Sequence, residues 1–156
     1  MKQLPQNLKA MLQEIGERTA LLYLHLLIAE ENLDGWRAYP NHLEAGCDIV
    51  LLGPARQLKI EVKTRQTLLV ESQPNVAQFT ISALERESCD FVLAYWFNRT
   101  TFFVVPASAL QRVSSNGQPV YKFTARYSER DDDFTDGCRR YAGDWQRITD
   151  SILELM

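Results

Sequence analysis

Four side chains in this 156-residue sequence have types and spacing that could do chemistry together: Glu17, Asp48, Glu61 and Lys63. Glu61 and Lys63 alternate with Ile60, Val62 and Thr64 in I-E-V-K-T, residues 60 to 64. β-branched residues at every second position are the mark of a strand, and successive side chains on a strand point to opposite faces. An acid and a base therefore share the face turned away from Ile60 and Val62. Surface decoration accounts for such a pair, because charges on an edge strand block unwanted pairing. A metal-dependent active site accounts for it equally, and the carboxylates elsewhere in the chain bear on the choice.

The elements around this stretch bring those carboxylates within reach. C-D-I-V-L-L, residues 47 to 52, reads as a strand; G-P-A-R-Q, residues 53 to 57, is a turn; L-K-I-E-V-K-T, residues 58 to 64, returns as the second arm of a hairpin. Asp48, Val50 and Leu52 share one face of the first arm, and Lys59, Glu61 and Lys63 share one face of the second. Asp48 and Glu61 then lie near each other across the ladder. Two neighbouring carboxylates repel. A divalent cation with oxygen ligands relieves the repulsion, and Mg²⁺ suits two carboxylates plus waters and a phosphate. A third carboxylate comes from residues 5 to 32, which read as one long helix with Pro5 near its first turn. On that helix Glu17 falls in line with Leu21, Leu24 and Ile28, whereas Glu14 falls to the edge beside Arg18 and His25. Glu17 is thus the acid expected to face inward, where it needs a partner. A second apolar stripe through Leu8, Leu12, Ile15, Leu22 and Leu26 predicts a helix buried on much of its surface. Gly16 marks either a break or a close backbone contact.

The rest of the chain alternates strands and helices. W-R-A-Y-P, ending at Pro40, reads as a short strand; residues 74 to 87 as a helix burying Val76, Phe79, Ala83 and Leu84; residues 90 to 97 as an interior strand; Asn98-Arg99-Thr100 as a tight turn; residues 101 to 106 as a strand. A short helix is expected over 107 to 112, a loop over 114 to 119, a strand over 120 to 127 and an exposed acidic loop over 128 to 142. The chain closes on an amphipathic helix with Trp145, Ile148, Ile152 and Leu155 on one side. A mixed sheet covered by helices is the natural architecture. The acidic loop fails the calcium-loop pattern: counting from Asp132, Phe134 and Gly143 occupy ligand positions. No phosphate-binding glycine loop or dinucleotide fingerprint is present, and no organic cofactor is expected.

Glu17, then Asp48, then Glu61-Val62-Lys63 resembles the PD-(D/E)xK nuclease superfamily, and most of all the archaeal Holliday-junction resolvases and related small endonucleases. The resemblance covers residues 14 to about 97. It implies an α/β (α+β) fold with a restriction-endonuclease-like core, a mixed central sheet of about five strands flanked by helices, in the order αβββαβ with C-terminal additions. The whole chain would be a single domain, with the core over about 6 to 112 and the additions over 113 to 156. It further implies Mg²⁺, with Mn²⁺ as a substitute, held by Asp48, Glu61 and the Val62 carbonyl, with Glu17 acting directly or through water. Lys63 would orient or activate the attacking water and offset charge on the phosphate. Arg65, Gln78 and His42 would be substrate contacts, DNA the substrate and a homodimer the working form. Cys47 stands where the family often has proline.

Composition bounds these readings. Hydrophobic residues make up 46% and charged residues 24%, a globular balance. A net charge of −3 counts against an extended nucleic-acid footprint but not against a local one. Residues 56 to 65 are locally basic through Arg56, Lys59, Lys63 and Arg65. Cys47, Cys89 and Cys138 are odd in number and widely spaced, which suits reduced thiols in the cytoplasm rather than a disulfide framework. No secretory signal pattern opens the sequence, and the apolar run over 21 to 29 is too short to span a bilayer, so no membrane partner is expected. The acidic balance favours a rival of another class, a catalytically silent member of the fold that binds or regulates; the acid-acid-lysine set favours the enzyme.

Overall fold

The computed structural model describes residues 4–41, 47–67 and 73–155. Helix α1 (Gln6–Glu30) is followed by strands β1 (Arg37–Pro40), β2 (Ile49–Leu52), β3 (Gln57–Arg65) and β4 (Val76–Ser82). Helix α2 (Ala83–Glu87), strands β5 (Phe91–Trp96), β6 (Thr101–Pro106), β7 (Gln111–Ser115), β8 (Gln118–Ser128) and β9 (Asp133–Phe134), and helices α3 (Asp136–Arg139) and α4 (Gln146–Leu155) complete it. No helix among the described residues is long and apolar enough to cross a membrane.

The main sheet has five strands in the order β1-β2-β3-β5-β6. All its neighbours are antiparallel except β3 and β5, which run parallel. A parallel pair needs a crossover, and here the crossover carries β4 and α2. Rather than returning as a plain helix, it leaves the main sheet to pair with β8, forming a second sheet in the order β4-β8-β7 with β9 added to β8.

This is the largest departure from the sequence reading, which expected a helix over 74 to 87. Val76, Phe79, Ala83 and Leu84 fit helical spacing, but Ala77, Phe79 and Ile81 fit a period of two, and those three are buried while Leu84 is 65% exposed. The β-rich composition of V-A-Q-F-T-I-S, and a partner strand in β8, decide for the strand. Only Ala83–Glu87 is helical, started by a capping box: Ser82 Oγ accepts from Glu85 N–H at 3.1 Å and Glu85 Oε1 accepts from Ser82 N–H at 2.9 Å. The order αβββαβ is corrected accordingly, with a fourth strand before α2.

Three smaller expectations change. A 3₁₀ turn covers only Ala107–Ala109 of the expected helix, and Gln111–Ser115 is strand β7. The expected loop over 114 to 119 is the tip of a hairpin, with Asn116 and Gly117 both at positive φ (53° and 79°), as a type I′ turn requires. The acidic segment from 128 holds β9 and α3, and buries Cys138 and Tyr141.

Two cores lie on opposite faces of the main sheet. One joins Ala20 and Leu24 of α1 and Ile148 and Ile152 of α4 to Ile49, Leu51, Ile60, Val62 and Leu93. The other fills the space between the sheets with Phe79, Ile81, Val92, Trp96, Phe103 and Phe123. Strand β5 is consequently buried at every position, as its uninterrupted apolar run F-V-L-A-Y-W demands. Strand β3 is covered on both faces too, so it is not the half-buried strand its alternation suggested.

Helix α1 runs unbroken through Gly16, so the glycine marks close contact. A Cβ built there would lie 1.8 Å from Thr64 Oγ1. Gly16, Ala20 and Leu24 are its buried residues, and the small side chains let the helix lie directly on β3. The second apolar stripe is not buried: Leu8, Ile15, Leu22 and Leu26 are 39–58% exposed.

Gly16→Ala should destabilise the fold by roughly 1–3 kcal/mol despite alanine's better helix propensity, because Thr64 is β-branched and enclosed and cannot withdraw. Urea denaturation should show Thr64→Ala in the same chain recovering part of that loss. Equal losses with and without the second substitution would mean the contact does not set the helix position.

Candidate active site

The hairpin register pairs Ile49 with Ile60 and Val50 with Lys59, so Asp48 stands just before the first paired residue, beside Ile60 and its neighbours on β3. Asp48 precedes β2 yet remains tied to β3: its N–H donates to the Ile60 carbonyl at 2.9 Å, and its Oδ2 accepts the Val62 N–H at 2.7 Å. Its carboxylate thus takes the place of a backbone carbonyl in the ladder. From there it neighbours Glu17 of α1 on one side and Glu61 on the other, close enough to raise the pKa of both. Glu14 stays outside, in an exposed ion pair with Arg18 at 3.1 Å.

Asp48 perturbs the titration of both neighbouring glutamates. Glu17 is pushed up to about 7, first by burial, then by its hydrogen bond to Asp48 and the Asp48 charge. Glu61, only 4% exposed, is pushed up to about 10 by burial and by Asp48, and the nearby Lys63 offsets only part of this. Crowded carboxylates resist ionising together, and a cation among them would relieve the conflict.

The Val62 carbonyl accepts from Gln13 Nε2 at 2.6 Å, and the same amide reaches Glu17 Oε1 at 3.3 Å. Lys63 Nζ lies 3.8 Å from Glu61 Oε1 and 3.0 Å from Glu85 Oε2. Burial acts to raise the Glu85 pKa, but hydrogen bonds from Ser82 and Lys63 outweigh it and hold this carboxyl below its ordinary range. Among the described residues, no three His, Cys, Asp or Glu side chains are grouped closely enough to hold a metal ion as they stand. A cleft of about 390 Å³ between α1 and the β1–β2 edge leads to the group, with Glu17, Asp48 and Asn41 in its wall. The Asn41 amide fastens the rim by donating to the Cys47 carbonyl at 3.0 Å.

Glu17, Asp48, Glu61 and Lys63 are therefore brought together, with the Val62 carbonyl beside them. Arg65 is not a free rim cation: it is half-buried, donating through Nε to the Gln78 carbonyl and through Nη1 to the Thr64 carbonyl. Gln78 projects from β4, not from a helix, and its side chain is exposed. His42 lies outside the described residues. Sequence reasoning missed Gln13 and Glu85. The S-x-x-E spacing of Ser82 and Glu85 was a legible capping signal; nothing local marks Gln13.

No family model and no curated protein sequence matches the chain. Solved structures do. A bacterial homing endonuclease superposes with a TM-score of 0.59 at 17% identity, over 98% of this chain and 97% of its own. Hjc, a Holliday junction resolvase from the archaeal hyperthermophile Archaeoglobus fulgidus, aligns with a TM-score of 0.46 at 21% identity, over 71% of this chain and 82% of its own. The first likeness, with the five-stranded mixed sheet, shows a restriction-endonuclease-like α+β fold.

The raised carboxyls make a pH prediction. The fold holds protons on Glu17 and Glu61 that the unfolded chain releases near pH 4.5. The native state then binds more protons above that pH, so stability falls as pH rises, through about 7 for Glu17 and about 10 for Glu61. Thermal melting in chelator should show Tm declining from pH 5 to 9, with Glu61→Gln flattening the decline. A Tm that climbs over that range would contradict the crowding.

Proposed function

We propose that the chain is a metal-dependent endonuclease that hydrolyses phosphodiester bonds in DNA. The observation that carries this is the meeting of Glu17, Asp48 and Glu61 at the junction of β2 and β3, with an ammonium alongside. The matching fold of a homing endonuclease adds support.

The donor chemistry fits a hard divalent ion such as Mg²⁺ or Mn²⁺: oxygen ligands of which two glutamates are pushed above their ordinary range by burial and by the Asp48 charge, a cost such an ion would relieve. Asp48, Glu61 and the Val62 carbonyl would hold it, with Glu17 direct or through water. Such an ion would polarise the phosphoryl oxygen and acidify a bound water. The chain's own residues supply the rest. The Lys63 ammonium would orient the attacking water and offset the negative charge that grows on the phosphate. Gln13 steadies Glu17 and the Val62 carbonyl through one amide. Gln78 and Arg65 border the path of the nucleic acid, and Arg65 serves it by fixing β4 against β3. A homodimer, offering one site per strand of a duplex, and a cytoplasmic location, consistent with three free buried thiols, complete the reading. Branched or recombination-type DNA is the first substrate to try.

One observation favours a catalytically silent protein of the same fold. Gln13 already occupies the Val62 carbonyl and Glu85 already pairs with Lys63, so both groups have partners in the protein itself.

Incubation with branched, duplex and single-stranded DNA in Mg²⁺ or Mn²⁺ separates the two. Cleavage should appear in the wild type and fall on the order of 100-fold or more in Asp48→Ala and in Lys63→Ala. Undiminished cutting by both variants would remove this site. A wild type that neither cuts nor binds the ion would favour the silent reading.

A further inference from the structure

Lys63 lies closer to an acid outside the carboxylate group than to Glu61 within it. Its Nζ is 3.0 Å from Glu85 Oε2 and 3.8 Å from Glu61 Oε1. Glu85 is not a free surface side chain. Its Oε1 accepts the Ser82 N–H at 2.9 Å, and its own N–H donates to Ser82 Oγ at 3.1 Å. The capping box locks the carboxylate, with one oxygen bound to the backbone and the other turned to the lysine. The two side chains are 21% and 28% exposed, so the pair is largely withdrawn from water.

A lysine carries three rotatable donors on a flexible four-carbon stem and keeps one position only if something holds it. Glu61 alone would hold it poorly. That carboxylate also faces Asp48, and whatever neutralises it weakens its pull on the ammonium. Glu85 is spared this competition: it comes from α2, on the crossover between β3 and β5, and makes its second bond to backbone rather than to the acid group.

We propose that Glu85 is the positioning residue for Lys63: the capping box of α2 presents a preset carboxylate that fixes the ammonium beside Glu61. This rests on the reading of Lys63 as part of a nuclease site. In this role Glu85 acts through Lys63 rather than on the DNA or the reacting atoms. Its loss lowers turnover without altering substrate binding, because it changes only where the ammonium stands.

Glu85→Gln isolates the effect, since glutamine serves in a capping box as glutamate does but carries no charge. A melting temperature close to that of the wild type checks that α2 is retained. In the cleavage assay kcat should fall on the order of 10- to 100-fold, the scale of a misplaced catalytic group, with KM within about twofold. A second readout needs neither DNA nor a metal: the NMR order parameter of the Lys63 side-chain ammonium in chelated protein. It should be high in the wild type and fall in Glu85→Gln toward that of exposed Lys9. An unchanged kcat overturns the proposal, and so does a reduced kcat with an ammonium as rigid as before. If the wild type cuts no DNA, the nuclease reading fails; the order parameter then decides alone whether Glu85 holds Lys63, a loosened ammonium supporting it and a rigid one overturning it.

Discussion

The hydrogen bond from the Val62 N–H to Asp48 Oδ2, 2.7 Å long, is where folding and chemistry meet in this chain. A side-chain carboxylate stands in for a strand carbonyl just before β2 begins, so its position is set by sheet geometry rather than by a flexible rotamer. Backbone donors buried beside a sheet must be satisfied, and Val62 is covered on both faces. Once Asp48 is fixed there, Glu61 is set beside it by lying between Ile60 and Val62, the two residues Asp48 bonds on β3, and Glu17 by the way α1 crosses β3. The acid group is a consequence of that one bond and of the close approach at Gly16.

The arrangement is poorly suited to stability at neutral pH. Burial and the Asp48 charge oppose ionisation of both glutamates, and Thr64 Oγ1 finds no hydrogen-bond partner among the described residues. Such local conflicts gather at functional sites and are offset elsewhere. The offset here is ample: β5 is enclosed along its whole length, two aromatic-rich cores flank the main sheet, and Asp90 pins the start of β5 to Lys59, donating from its N–H at 2.7 Å and accepting at Oδ2 at 2.8 Å. The scaffold is firm where the site is strained.

The crossover after β3 serves both the fold and the site. By carrying β4 into a second sheet it covers the Glu61 side of β3, which is why a residue that alternation alone would place at the surface is buried. By ending in α2 it brings Glu85 to Lys63. The face that needed shielding and the lysine that needed a partner are served by one segment.

Much of this was legible in the residues. Alternation in I-E-V-K-T, the Gly53-Pro54 turn and the face shared by Asp48 and Glu61 specify the hairpin and its register, because side-chain direction on a strand has a period of two. Helical spacing separates Glu17 from Glu14 on the same grounds, and the apolar run of β5 marks an interior strand. Only the tertiary structure decided the rest. Val76 to Ile81 satisfies two periodicities, and the pairing with β8, 40 to 50 residues later, selects one. Gln13 reaches Val62 across 49 residues and Glu85 reaches Lys63 across 22. Local sequence determines which way a side chain points from its own element. Which element waits on the other side is decided by packing the whole chain, and here that packing supplied the partners of the site.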